Sequence, residues 1–502
     1  MAEHALPPGW SKIPLGQAAQ WLNGRAFKKT EWESEGRPII RIQNLNDPEA
    51  DFNRTTGEFD DRYFVEDGDL LFAWAASLGA YIWRGESAWL NQHIFKVVPA
   101  HGVNKNLLFY FLKSVITDIY SRTQGSGMVH ITKKEFSGIP LLLPPAEEQR
   151  RIVAKIEELF SELDDSVANL ETARARLHTY RQSLLKHAFE GRLTEQWRRD
   201  HANELESADQ LLERIREERQ ARYQQQLEDW KAEVAQWEAD GKPGKKPRKP
   251  KEPKKQAAPT EEELEDLPVL PSGWSWVRLG EAAEVAGGIT KNPKRQSLDN
   301  KRPFLRVGNV YANRLEMGEV HEIGVEESEL PKVSLEDGDL LVVEGNGSVD
   351  QIGRVAVWDG RVPGAVHQNH LIRARPTSLL RSFFALWFRL SKQGRDHIMR
   401  VASSTSGLHT LSLSKVENLL VPICSVQEQE LVVEELEVKL GEMEEAEKTI
   451  ENSLQQMQLL RQCILKCAFE GRLVAQSEDD EPAADLLTRI HGQEQGAKEE
   501  KA

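Results

Sequence analysis

The chain has 502 residues, 39 % of them apolar and 29 % charged, which suits several globular domains with long exposed helices. No apolar run reaches the ~18–20 residues of a membrane span, the first residues carry no basic and apolar leader, and three cysteines exclude a disulfide scaffold, so a cytoplasmic protein is expected. The net charge of −15 disfavours a simple nucleic-acid binder, yet residues 1–150 hold 16 Lys and Arg against 18 Asp and Glu, and 271–424 hold 19 against 17, so the acidity lies in the connecting segments.

In chain order, the first 140 or so residues alternate short apolar runs with Gly, Asn and Asp turns. IIRIQNL, DLLFAWA and HIFKVV read as strands, and NLLFYFLKSV from Asn106 reads as a helix. From Val153 apolar residues recur at steps of three and four: Ile156, Phe160, Leu163, Val167, Leu170, Leu177, Leu184, Ala188. That stripe makes a coiled-coil or bundle helix, interrupted at Arg174 and Arg181. Pro144 and Pro145 set the chain extended before it, and Gly191 is a candidate stop. Residues 204–239 form a solvated, charged helix. An extended, disordered linker follows, with eight Lys or Arg between Lys242 and Lys255 and one Glu. It suits a solvated tether better than a phosphate clamp.

The chain is then written again. LPPGWSKIPLGQAA at Leu6 returns as LPSGWSWVRLGEAA at Leu270, RPIIRIQNLN as RPFLRVGNVY, EDGDLL at Glu66 as EDGDLL at Glu336, and NQHIFKV as HQNHLIRA. EEQRRIV matches QEQELVV, and YRQSLLKHAFEGRL matches LRQCILKCAFEGRL. DLLVVEG and GRVAVW read as strands, and LRSFFALWFRLSKQG as one helix. The second stripe runs Val433, Leu436, Leu440, Met443, Ile450, Leu454, Met457, Ile464, Ala468, with Gly471 as its stop. ADQLLERI at Ala208 is echoed by ADLLTRI at Ala484, within a polar tail expected to fray. Cys463 and Cys467 lie four apart and suit buried thiols, since no second pair exists to complete a zinc site.

The expected divisions are a globule at 1–147, a helix at 148–193, a charged insert at 194–265, a second globule at 266–426, a helix at 427–473 and a tail at 474–502. Each globule reads as α/β or α+β. There is no P-loop, no G-x-G-x-x-G after a strand, no H-E-x-x-H, and no Asn/Asp-Pro-Pro-aromatic tetrapeptide of an amino-methyltransferase. The chain looks like a reader, not a catalyst. Two similar globules, each at the start of its own helix, would lie at opposite ends of an antiparallel pair. A helix over 151–187 measures ~55 Å, about 16 base-pair steps. Such an arrangement suits a two-part DNA site with an unread spacer.

The GW…LG opening, the DGDLL strand, the NQH/QNH stretch, the turns Gly127–Ile131 and Gly407–Leu411, the LPPAEEQ helix start and the doubled AFEGRL resemble the specificity subunit of type I restriction-modification systems. The resemblance covers nearly the whole chain. It implies two target recognition domains of α/β (α+β) fold in pseudo-twofold arrangement, joined by long antiparallel coiled-coil helices. It implies duplex DNA as ligand, helices that set the spacer and dock two methyltransferase subunits, and restriction (nuclease/translocase) subunits joined through those. S-adenosylmethionine, ATP and Mg²⁺ would belong to the partners, and no membrane is involved. The insert at 194–265 departs from the pattern, and the second helix start, VPICSVQEQ, lacks the double proline. A coiled-coil scaffold with protein-binding globules, and a fused restriction-methylation enzyme, are the competing readings.

Base edges are read from loops by polar side chains, and phosphates are held by Lys, Arg and backbone N–H. The candidates in the first copy are Gln124, Ser126, His130, Lys133 and Lys134, with Ser404, Thr405, Ser406 and His409 in the same place in the second. The loops after DGDLL differ between copies, as specificity loops should: Trp74, Ser77 and Tyr81 against Asn346, Ser348 and Gln351. Lys28, Lys29, Lys291, Lys294 and Arg295 follow equivalent glycine turns and suit phosphates. Asn91–His93 and Gln368–His370, kept in both copies, suit a structural role. Trp10 and Trp274 suit the core. Arg181 and Arg461 share one seam position, open to partner docking or to snorkelling.

Overall fold

The computed structural model describes residues 6–47, 49–75, 77–122, 133–243, 246–253, 255–345, 351–402 and 410–488, with side chains at 117–122 and 133–134 outside that set. It divides into two compact units, Met1–Ala173 with Thr449–Ala502, and Arg174–Lys448.

The first globule is closed by strand Ser11–Pro14 paired antiparallel with Pro140–Leu143. Between these strands lie two four-stranded sheets. One has the order Ala19–Asn23, Ile94–Pro99, Leu70–Ala73, Gly79–Ile82. The other runs Asn53–Thr55, Arg37–Ile40, Ala88–Leu90, Phe64–Val65, with its central pair parallel. The unbroken apolar run LLFA reflects burial on both faces. Leu70 and Phe72 enter one core, while Leu71 and Ala73 enter another, as a period of two requires. The second globule repeats the plan: Ser275–Arg278 pairs with Leu420–Ile423, and a sheet runs Ala283–Gly287, Leu371–Pro376, Leu340–Val343, Val355–Val357. There too Leu340 and Val342 face one core, Leu341 and Val343 another.

The EDGDLL motif has a local cause. Asp69 and Asp339 each accept at 2.8 Å from the N–H of Glu66 and Glu336. Gly68 and Gly338 supply the positive φ, +86° and +88°. Each Asp then pairs with a cation on the neighbouring strand, Lys96 for Asp69 and Arg375 for Asp339, both at 2.7 Å.

Two predicted elements differ. IIRIQNL is a strand only to Ile40, followed by a short helix, Ile42–Asn46. Asn44 is the reason: buried, it accepts from Arg41 N–H at 3.1 Å and donates to Ala50 and Asp51 carbonyls. Asn309 does the same from Arg306 N–H to Glu316 and Glu319. LRSFFALWFRLSKQG is two helices, Ser382–Leu390 and Lys392–Ala402. Ser391 breaks the run, its hydroxyl donating to Phe388 O at 2.6 Å and accepting from Gly394 N–H at 3.1 Å.

The long helices are Ala146–Phe189 and Val426–Phe469. Within the first unit, Ile152, Ile156 and Leu163 share a core with Ile464, Leu465 and Ala468. Within the second, Leu184, Leu185 and Ala188 share one with Leu436, Leu440 and Met443. In each unit the start of one helix meets the end of the other, so they run antiparallel. At the start of the second stripe Val432 is fully buried, whereas Val433 is half-buried. Both helices stop alike: Gly191 and Gly471 have φ +69°, and Arg192 and Arg472 N–H bond back to His187 and Cys467 carbonyls at 2.9 and 2.8 Å. Cys463 is exposed, contrary to expectation, because it lies off the buried stripe; Cys467 is half-buried.

The AFE ends explain their own repetition. Phe469 packs edge-on to Phe111 of the first globule, 5.2 Å between ring centres. Phe189 packs on Phe384 and Phe388 of the second, each 5.3 Å away. Each globule is thus closed by the helix end of the other repeat. The chain continues onto the same surface. After Gly471 the tail, as far as residue 488, docks rather than frays: Ala483 and Leu486 are buried in the first core, and Arg151 makes a bidentate pair with Asp480. After Gly191 comes the helix Ala208–Ala239, whose Ala208, Leu211 and Ile215 are buried, with Ile215 in the second core. The echoed AD-LL pattern therefore marks two equivalent docking segments.

Candidate nucleic-acid interface

The two globules share a backbone crossing that fixes their loops. Gly24 and Arg25 approach the segment after strand Ala88–Leu90, with Gly24 N–H to Ile94 O at 3.0 Å and Gln92 N–H to Arg25 O at 2.7 Å. A Cβ on Gly24 would stand 2.2 Å from Asn91 O. In the second copy Ile289 N–H reaches His367 O at 2.8 Å and Asn369 N–H reaches Ile289 O at 3.0 Å; a Cβ on Gly288 would stand 2.1 Å from His367 O. The NQH and QNH stretches are kept because their backbones make this crossing.

From the crossing, the chain leads into the lysine turns. Lys28 and Lys29 are exposed. Lys28 N–H donates to Glu31 at 2.6 Å, and Glu31 also takes Arg25 at 2.7 Å; these bonds, the backbone one first, hold its carboxyl below the ordinary value. The Arg25 guanidinium lies over Phe59, 4.0 Å from the ring centre. The turn is thereby fixed, with both lysines exposed on it. In the second copy Lys291 and Lys294 are exposed. Arg295 differs from its grouping with these lysines: its fork is bidentate to Glu329 at 2.7 and 2.8 Å and also meets Thr290 and Gly324 carbonyls. Four of its five N–H donors are thus engaged within the globule.

Trp74 ends the DGDLL strand half-buried. Its indole donates to Asn23 Oδ1 at 3.2 Å and stands edge-on to His93, 5.0 Å between ring centres. The equivalent residue in the second copy is Glu344, whose carboxylate meets His370 Nδ1 at 2.8 Å. The same histidine position therefore carries an aromatic partner in one globule and an acidic one in the other, on the exposed side of each crossing. His93 adopts a positive φ of 74° to reach it. Tyr81 donates its hydroxyl to Asn46 Oδ1 at 2.6 Å. Ser77 and Gln351 are half-exposed. Gln124, Ser126, His130, Asn346, Ser348, Ser404, Thr405, Ser406 and His409 lie outside the described residues, as do the side chains of Lys133 and Lys134.

Sequence reasoning missed the clamp that seats each globule on its helix. Gln149, fully buried, accepts from Asn104 N–H at 2.7 Å and donates to Gly102 and Pro144 carbonyls. Gln429 accepts from Arg381 N–H at 2.9 Å and donates to Leu379 and Cys424 carbonyls. The preceding carboxylates are buried too. Glu148 accepts from the Trp10 indole at 3.0 Å, and burial pushes its carboxyl up. Glu428 accepts from Thr194 at 2.6 Å and pairs with Arg198. The signal was the EEQ/QEQ repeat. Trp10 and Trp274 are both buried.

On the long helices Tyr180 and Leu460, equivalent in the repeat, are 54 % and 45 % exposed, and Val438 and Leu459 are also open. Arg461 pairs with Asp164 over the Phe160 ring; Arg181 is exposed. Among the described residues no helix is long and apolar enough to cross a membrane, and no cluster of His, Cys, Asp and Glu suits a metal.

A family model described as the type I restriction modification DNA specificity domain matches twice, over residues 7–171 and 271–456. The EcoKI specificity subunit of Escherichia coli K12 is 24 % identical, over 98 % of this chain and 96 % of its own length. The StySPI specificity subunit of Salmonella potsdam is 24 % identical, over 97 % and 95 %. Among solved structures, the HsdS subunit from Thermoanaerobacter tengcongensis superposes with a TM-score of 0.51 at 17 % identity, over 94 % of this chain and 99 % of that one. A chain solved in work on the assembly and conformational transition of the type I R-M system gives 0.59 at 17 %, over 93 % and 100 %. These likenesses show the fold. The two family matches take in both globules and the greater part of both long helices, more than half of the sequence, so the chain belongs to the type I restriction-modification DNA specificity family.

Proposed function

We propose that this chain is the DNA-reading subunit of a cytoplasmic type I restriction-modification complex, with each globule reading one part of a split duplex site. One observation carries this reading. The crossing at Gly24 and at Gly288 is the same backbone device, yet it presents Trp74 with His93 in one globule and Glu344 with His370 in the other. A repeated frame with altered side chains suits two half-sites of different sequence. Lys28, Lys29, Lys291 and Lys294 hold phosphates beside the read bases. The loops at 122–134, 346–351 and 403–411 supply further contacts.

The antiparallel helices set the spacer and dock two methyltransferase subunits, with Tyr180 and Leu460 as equivalent contacts. Restriction subunits join through those. S-adenosylmethionine, ATP and Mg²⁺ are held by the partners, and this chain transfers no methyl group itself. The test is to map methylated bases genome-wide with the gene present, absent, and carrying Glu344→Ala. One half of a split motif should change in the variant. Methyl transfer by the purified single chain, or a variant that alters both halves, contradicts the reading.

A further inference from the structure

The insert at 194–265 lies outside both family matches, and its chemistry is not used by the reading above. Its helix, Ala208–Ala239, is bound to the second globule along its first half. Arg216 pairs with Glu281 at 2.9 Å, Arg219 donates to Glu281 O at 3.2 Å, and Glu218 accepts from Ser378 Oγ at 2.6 Å. Beyond Arg222, among the described residues, no hydrogen bond or ion pair joins the helix to the globule. What continues is a half-buried stripe, Tyr223, Leu227, Trp230, Val234, Trp237, with steps of four and three.

The proline segment covers that stripe. The Trp237 indole donates to Pro243 O at 2.9 Å, and the Trp230 indole to Pro247 O at 3.0 Å. Helix numbering falls as strand numbering rises, so the segment returns antiparallel. The spacing agrees: seven helical residues advance ~10.5 Å, and four residues of polyproline II ~12.4 Å. Half-burial then recurs at Pro247, Pro250, Pro253, Gln256 and Pro259, the three-residue period of a polyproline II helix. The segment's far end is locked as well. Arg278 donates to Ala257 O at 2.9 Å and pairs with Glu263 at 2.8 Å; that pair holds the Glu263 carboxyl down at about 2. The insert is therefore an anchored helix-and-polyproline arm, not a free tether.

With one face of the segment turned inward, the other two carry the charge. Lys242, Lys246, Arg248, Lys249, Lys251 and Lys255 are exposed, against Glu252. Among the described residues none of the six is in an ion pair, unlike Arg216, Arg222 and Arg278, which pair with acidic residues. An uncompensated cation row on a rigid rib fits a regular polyanion. From Lys246 to Lys255 the rib spans ~28 Å, about eight base-pair steps. The inward-turned prolines leave no free proline face for a protein that reads PxxP motifs.

We propose that this arm grips the phosphate backbone of duplex DNA flanking the half-site read by the second globule. The inference rests on the DNA-reading function above and adds a sequence-independent contact to one side only. The test uses the full chain assembled with its methyltransferase subunits. One variant replaces Lys246, Arg248, Lys249, Lys251 and Lys255 by Gln; a second keeps the charge, with Arg for each Lys. Affinity is measured against salt on a duplex holding the split site and on an unrelated duplex. Each lost phosphate contact lowers the slope of log K against log salt by about 0.9. The Gln variant should lose about 3–4 of slope and bind both duplexes at least ten-fold more weakly near 0.15 M salt, with unchanged discrimination. The Arg variant should match the parent. Trimming the flank beside the second half-site should reproduce the loss, and trimming the other flank should not. An unchanged slope with normal discrimination overturns the arm's role. A parent complex that fails to discriminate the two duplexes overturns the underlying reading instead.

Discussion

The two globules are built to one plan and differ where the plan faces outward. Inside, the same devices recur residue by residue: Asp69 and Asp339 in the turn, Asn44 and Asn309 under the loop, Gln149 and Gln429 at the helix start. Outside, Trp74 faces His93 where Glu344 faces His370. Backbone groups must be satisfied the same way in both copies, whereas a reading surface must change with what it reads. The retained Asp, Asn and Gln residues thus serve backbone bonds and buried contacts, and under the proposed function the changed exposed pair is where recognition would differ.

The strongest way to break that comparison is to cut the exchanged helix ends. Phe189 is fully buried against the second globule and Phe469 nearly so against the first. Phe189→Ala should cost ~3–5 kcal/mol and loosen the second globule, while Phe469→Ala loosens the first. Hydrogen exchange mapped along the chain checks this. Loss of protection in the globule preceding the mutated helix would contradict the exchange.

Acid should separate the globules next. The second buries two histidines, His367 and His397, whose values burial pushes down to about 4 and about 3. Leu90 stands in the first globule where His367 stands in the second. Each imidazole is neutral in the fold, so its contribution is complete above about pH 6.5 and is lost as pH falls from there toward those values. At pH 5 each His costs on the order of 2 kcal/mol. Unfolding followed by exchange between pH 7 and 5 should show the second globule weakening first; equal loss would contradict it.

Smaller effects sharpen the frame. Gln149→Ala or Gln429→Ala leaves a buried N–H and carbonyls unpaired and should cost ~2 kcal/mol, read by denaturant unfolding, with a similar cost in both copies. Trp74→Ala and Glu344→Ala should alter stability least, and each should relax discrimination at one half-site by about ten-fold, as loss of a single base contact does. Methylation of duplexes with single-base changes checks this.

Much of this was legible in the chain. The repeat gave the two globules, the apolar stripes gave both long helices, and Gly191 and Gly471 marked their ends. What escaped was tertiary. Nothing local reveals that Phe189 serves the later globule and Phe469 the earlier one, since both lie hundreds of residues from most of their partners. The tail looked polar because, among its described residues, Ala483 and Leu486 are buried in the core and just Val474 and Leu487 pack partly against it. The proline segment looked free because its partner stripe, Trp230, Val234 and Trp237, is sparse within a helix that is otherwise mostly charged and polar. Arg295 looked like a phosphate ligand because Glu329 is thirty-four residues away. The His93 and His370 partners were hidden by the loop between them.

The central claim is the proposal that each globule reads its own half of the site, with half-sites of opposite polarity expected from the antiparallel helices. The most direct measurement replaces residues 11–143 by a second copy of 275–423, joined at the equivalent strand pairs Ser11–Pro14 with Pro140–Leu143 and Ser275–Arg278 with Leu420–Ile423. The variant is assembled with methyltransferase subunits and its methylated sites are mapped. The account predicts an inverted repeat of the second half-site with the parent spacer. A direct repeat, or a motif that still contains the first half-site, would contradict it.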